Sequence, residues 1–182
     1  VREVDSWTQA LYSVPPVICG LRLRPFSLAH TILLRGINNP YAYVGLAASR
    51  DELLAAILIC SRTHAENQAA LFGGGQRALP LLRWAWRWRR MDISTADASF
   101  RQYIKDGTRF PQYKDSVEGG KGDPPVAPVE WHLHRHLCCD RGWGDENAWN
   151  CSHAYARHLF DVWAESQGHG ALASEYEARL IE

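Results

Sequence analysis

Between Glu130 and Gly168 the chain reads EWHLHRHLCCDRGWGDENAWNCSHAYARHLFDVWAESQG, a stretch dense in side chains that bind metals or move protons. It holds five of the eight histidines, three of the five cysteines and four of the eight tryptophans, so either metal or tight packing must account for it. At about 100° per residue, His132, His136 and Cys139 share one stripe of a helix over Val129 to Asp140. Cys151 and His158 share a stripe of a second helix over Asp145 to Gln167. His132, His136, Cys139 and Cys151 together would make a tetrahedral N/S zinc site. Against that, the chain has no C-x-x-C and no H-E-x-x-H, and adjacent Cys138-Cys139 makes a poor knuckle. The competing expectation puts His132, Arg135, His136 and Cys139 in water, and Trp131, Leu133, Leu137 and Cys138 in the core. Packing is the favoured expectation and metal the alternative. His153 lies on an apolar stripe with Trp149, Ala156, Phe160 and Trp163. It is expected to be a core histidine with one hydrogen-bonded nitrogen.

Other chemical motifs fall short. His64-Ala65-Glu66 matches half of a zinc deaminase signature, whose P-C-x-x-C half is missing. Gly73 to Gly75 is followed by no G-K-[ST] and is not a phosphate loop. No G-x-S-x-G nucleophile elbow occurs, and Cys60 sits in an apolar helix where a thiol is inert. Neither an enzyme activity nor a cofactor is expected. The run from Arg83 to Arg90 interleaves arginine with tryptophan, a pattern that grips single-stranded nucleic acid or an anionic membrane. Lys plus Arg equals 20 and Asp plus Glu equals 20, so the chain lacks the basic excess of a nucleic-acid binder. Trp84 and Trp88 are expected in the core and Trp86 on the opposite side. That makes Trp86, with Arg87 and Arg90, a candidate protein-contact surface, since exposed tryptophan is typical of such contacts. Phe110 and Tyr113, in a long loop, are the other candidates.

The elements that must position these groups are helical. Val4 to Tyr12 reads as a short helix stopped by Pro15-Pro16, and Val17 to Arg24 as an extended segment. Phe26 to Gly36 reads as a helix closed by Asn38-Asn39-Pro40. Ser49 and Glu52 form a capping-box pattern, and the helix behind them is expected to continue toward Leu71. Gln76 to Met91 and Thr95 to Asp106 follow, with Gly107 as the stop of the latter. Residues 108–128, rich in Gly and Pro, read as a loop. Next comes a C-terminal helical hairpin turning at Arg141 to Gly144, with Asp145 as N-cap. Ser174 and Glu177 cap a short terminal helix. Residues 1–182 thus read as one all-α domain of six to seven helices.

Composition agrees: 182 residues, 46% apolar and 22% charged, describe a globular chain. Five cysteines at irregular spacing imply free thiols and a reducing compartment. No apolar run approaches the roughly 20 residues that span a bilayer, so no membrane partner is expected. The chain begins at Val1 without a Met, which leaves room for an upstream segment.

Two blocks carry a likeness. Leu21-Arg22-Leu23-Arg24-Pro25-Phe26-Ser27-Leu28-Ala29-His30 resembles the L-x-L-R-P-F-S-L-G-H opening of small helical proteins encoded among the tail genes of bacteriophages and prophages. Ala29 stands where that pattern has glycine. Ala148-Trp149-Asn150, Ala156, Ala164-Glu165 and Gly168 resemble the ending of the same proteins. These are similar to phage tail assembly chaperones. The resemblance implies a non-catalytic protein that holds the tape-measure protein during tail building, in the host cytoplasm. The alternatives are a structural virion component, such as a head–tail or tail-completion protein, and a small zinc-binding protein or enzyme using the His/Cys-rich hairpin.

Overall fold

A computed structural model describes residues 14–43, 46–72, 92–109, 127–169 and 172, apart from the side chains of 71 and 72. Two short antiparallel strands, β1 (Val17–Ile18) and β2 (Leu21–Arg22), open the described chain. Cys19 and Gly20 connect them with φ of 55° and 75°. Positive φ at both central residues is what a two-residue hairpin turn demands, and it matches the twist of the strands. Then come α1 (Leu28–Gly36), a 3-10 turn (Pro40–Ala42), α2 (Arg50–Cys60), α3 (His64–Phe72) and α4 (Ile93–Gly107). After residue 126 follow α5 (Val129–Arg135), a π-helical turn (His136–Asp140), α6 (Asp145–Asn150) and α7 (His153–Ser166). The all-α expectation holds, with seven α-helices and the one small sheet among the described residues.

Two expected helices are each broken in two. The helix behind Ser49 has its capping box, with Ser49 N–H donating to Glu52 Oε2 at 2.6 Å. It stops at Cys60 instead of running on toward Leu71. The restart is a second box: Thr63 N–H donates to Glu66 Oε2 at 2.7 Å, and Glu66 N–H donates back to Thr63 Oγ1. The half-motif His64-Ala65-Glu66 is therefore the first turn of α3, with the Glu66 carboxylate committed to the helix start. The second hairpin helix breaks at Cys151 and Ser152, both extended, and Ser152 caps α7 by accepting from Tyr155 N–H. This break lets the chain bond to the segment before α1. Leu28 N–H donates to Cys151 O at 3.2 Å, His153 N–H donates to Phe26 O at 2.7 Å, and Ser27 bridges Ser152.

The stretch from Leu21 to His30 is a hub. Leu23, Phe26, Leu28 and Ala29 are buried. Arg24 N–H donates to Cys60 O on α2, and Tyr103 on α4 donates its hydroxyl proton to Arg24 O. His30 completes an unusual capping box. Its Nδ1 accepts from Ser27 N–H, while Ser27 Oγ accepts from His30 N–H. Its Nε2 then donates to Arg62 O at 2.9 Å. The residues that carry the likeness to tail proteins are thus cap and core positions. Gly107 ends α4 as expected, for a different reason. A Cβ there would lie 2.5 Å from Phe26 Cβ, so only glycine permits the close approach of α4 to this hub.

The core divides in two. One cluster joins β1, α1, α2 and α4 around Phe100, Leu53, Ile57 and Tyr103. The other joins α1, α5, α6 and α7 around Leu28, Leu133, Leu137 and Ala156. The expected helices over Val4 to Tyr12 and Gln76 to Met91, and the terminal helix at Ser174, lie outside the described residues, as does most of the 108–128 loop.

Candidate functional site

Glu130 was not singled out by motif, yet its carboxylate is one of two fully buried acids among the described residues, with Asp161. It is 1% exposed, in the second residue of α5, on the same helical stripe as the buried Leu133 and Leu137. Arg35, at the end of α1, donates from Nη1 to Glu130 Oε2 at 2.6 Å. His153, the first residue of α7, places Nε2 3.4 Å from Glu130 Oε1. Burial by itself would raise the Glu130 carboxyl. The hydrogen bond with His153 and the charge of Arg35 outweigh that and hold it below its ordinary value. Three helices thus converge on one ionised carboxylate.

The carboxylate lines a cavity of about 530 Å³ between α1, α4, α5 and α7. Phe26, Leu34, Tyr41, Ile104 and Val129 give it apolar walls. Arg35, Arg101, Lys105 and Arg157 also line it, against the single carboxylate of Glu130. Two of these cations are held by acids outside the lining. Arg157 Nε binds both oxygens of the fully buried Asp161 at 2.9 and 3.0 Å. Arg101 Nε binds Asp97 at 2.9 Å and its guanidinium lies 5.0 Å over the Tyr41 ring. Tyr41 donates its hydroxyl proton to Asp97, and burial together with that acid pushes its own ionisation up. A pocket with apolar walls and a few fixed charges is the form that binding sites usually take. With the three arginines each bonded to an acid, Lys105 is the cation of the lining that suits an anionic group carried on an apolar body.

The structure rearranges the expected metal residues. His132 and Cys139 are exposed, as expected. His136 is buried, with Nδ1 2.8 Å from Asp140 Oδ2 and its ring packed against Phe160 and Trp163. Cys151 is buried beside Ala148 and Leu28, and burial pushes its thiol up to about 12. The four residues proposed from helical phase therefore do not assemble. Two physical reasons account for this. Phe160 and Trp163 of α7 pack over the His136 ring and take it out of water, and the break at Cys151 separates that residue from the helix that carries His158. Trp131, expected in the core, is 50% exposed, edge-on to Trp149.

A different set comes together. His134 Nε2 lies 3.0 Å from Asp145 Oδ1 and 3.6 Å from Cys138 Sγ. The His134 ring stacks on Trp149 with centroids 4.0 Å apart. Asp145 begins α6 without acting as its N-cap, a position taken by Gly144. His153 is a core histidine, as expected.

Trp86, Arg87, Arg90, Phe110 and Tyr113, the candidate partner residues, lie outside the described residues. Glu130 and Asp161 had a legible signal that motif searching ignores: a carboxylate at a core position of an amphipathic helix. Arg35 had none, because only tertiary packing brings it to α5. No family model matches the chain, and neither a curated protein nor a solved structure matches it. Among the described residues no helix is long and apolar enough to cross a membrane.

Proposed function

We propose that this chain is a non-catalytic protein-binding domain that holds a virion protein during tail assembly. The cavity over Glu130 is the site that takes it. The observation that supports binding is the cavity itself, with its apolar walls and with Arg35, Arg101, Lys105 and Arg157 on its lining. Its complement is an acidic segment with an apolar anchor residue. Glu130 favours binding over catalysis, because a carboxylate held ionised and engaged at both oxygens is a weak proton acceptor. The tail-assembly part of the reading rests on the likeness of Leu21 to His30 and of Ala148 to Gly168.

The test is co-expression with the proteins encoded beside it, with a photo-crosslinking side chain in place of Tyr43 on the cavity wall. The expected product is one adduct with a tail protein, lost in Lys105→Glu and absent from finished particles. No adduct, or an adduct indifferent to Lys105→Glu, rules the cavity out as the site. Recovery of the chain in finished particles at a fixed ratio to tail proteins would support the structural-component alternative instead.

A further inference from the structure

Beyond the cavity, we propose that His134, Cys138 and Asp145 form a binding site for one zinc-like divalent ion. This site stands apart from the binding reading above. Nitrogen, sulfur and oxygen donors of three different residues lie within 4.8 Å of one another, one group on α5, one on the π turn and one at the start of α6. Zinc binds such donors at about 2.0–2.1 Å for nitrogen, 2.3 Å for sulfur and 2.0–2.2 Å for oxygen. In a tetrahedron those bond lengths put neighbouring donors roughly 3.3–3.6 Å apart. The observed separations are 3.0 Å for His134 to Asp145 and 3.6 Å for His134 to Cys138. Cys138 and Asp145 lie within 4.8 Å of each other, so a movement of the exposed Asp145 side chain by roughly 1 Å or less admits the ion between the three donors.

The surroundings fit a site held in place on one side and open on the other. His134 is fixed by its stack on Trp149, and Trp131 lies edge-on to both rings. The π turn over His136–Asp140 contains Cys138, and such turns recur where a helix presents side chains to a ligand. Asp145, by contrast, is 74% exposed at its side chain, so it closes from the solvent side and leaves a fourth position to water. A free cysteine is mostly thiol near neutral pH. Binding replaces the His134–Asp145 contact by two metal bonds, and the Cys138 proton leaves to solvent as the thiolate–metal bond forms.

The test uses the purified full chain, stripped with a chelator and titrated with cobalt(II), which reports thiolate ligation by a near-ultraviolet charge-transfer band. The expected result is one equivalent bound, with the band present and the ion displaced by zinc. Cys138→Ser abolishes the band, and Asp145→Asn, at an exposed position, weakens binding at least tenfold. Cys139→Ser and His132→Ala, which change the expected but unassembled set, leave both unchanged. Circular dichroism of each stripped variant separates loss of the site from loss of the fold. Absence of the band in the native chain overturns the proposal. So does a band that survives Cys138→Ser or disappears in Cys139→Ser.

Discussion

Around Phe100 the core is closed by hydrocarbon and rings, whereas around Glu130 it is closed by charge. In the first cluster Phe100 meets Tyr41 edge-on at 4.8 Å and Tyr103 at 5.5 Å, with Leu53, Ala56, Ile57 and Cys60 filling the remaining space. The tyrosine hydroxyls there are both satisfied, by Asp97 and by Arg24 O, and the buried amides of Asn39 and Asn67 bond to Glu52 O and Ile59 O. The second half buries His134, His136, His153, His158, Glu130 and Asp161 beside fewer buried apolar residues. Buried ion pairs are weak contributors to stability, since desolvation offsets most of the attraction. A domain that has shown it can build an apolar core at one end has no structural need for that network at the other. The two halves therefore differ in what closes their cores, hydrocarbon in one and paired charges in the other.

Three experiments sharpen or break this contrast. The largest expected effect is in the apolar half. Phe100→Ala should lower unfolding free energy by about 3–5 kcal/mol, read by urea denaturation. A loss below about 1 kcal/mol would mean that the first cluster is not the stabilising half.

Next in size is an acid effect at His30, which sits where the two halves meet. Burial, the largest influence, lowers the folded His30 to about 4 from an ordinary 6.5, even though the Arg62 carbonyl opposes the shift. Nearby Arg24 and His64 push it further down. The unfolded chain therefore binds the proton first as pH falls, and stability contributed at pH 7 is lost between about 6.5 and 4. The full loss is about 3 kcal/mol. Protonated Nδ1 can no longer accept from Ser27 N–H, which names the bond that fails. Denaturation midpoints across that range should fall steeply in the native chain and less so in His30→Asn. Equal slopes would show that another group carries the acid sensitivity.

The smallest effects belong to the charged half, and they should be asymmetric. Arg35→Met strands the Glu130 carboxylate in the interior and should cost about 2 kcal/mol, since His153 still contacts it. Glu130→Met should cost about 1 kcal/mol or less, because Arg35 is 38% exposed and reaches water. The double substitution should match Glu130→Met in stability while losing the partner adduct at Tyr43. A double variant less stable than Arg35→Met would show that the network holds the fold together, and the contrast between the two halves would fail.

Much of the architecture was legible in residue order. The capping pattern at Ser49 and Glu52 and the stop after Gly36 both act through neighbours a few residues away. Their outcome does not depend on the rest of the fold. The two broken helices were also written locally, in Thr63-His64-Ala65-Glu66 and in the Asn150-Cys151-Ser152 junction. Apolar periodicity running through both breaks concealed them.

The candidate sites were less legible. Helical phase pointed to His132, His136 and Cys139, but the cover that Phe160 and Trp163 of α7 place over His136 cannot be read from spacing. Three residues of the cavity's charge cluster, Arg35, Glu130 and His153, lie far apart in the chain, and only the packing of α1, α5 and α7 joins them. By itself the sequence determined an all-α chain and where most helices begin and end, because capping and turn chemistry are local. Tertiary structure alone decided that a core glutamate would be ionised and which acid would face His134. Those outcomes depend on desolvation and on charges supplied by distant helices.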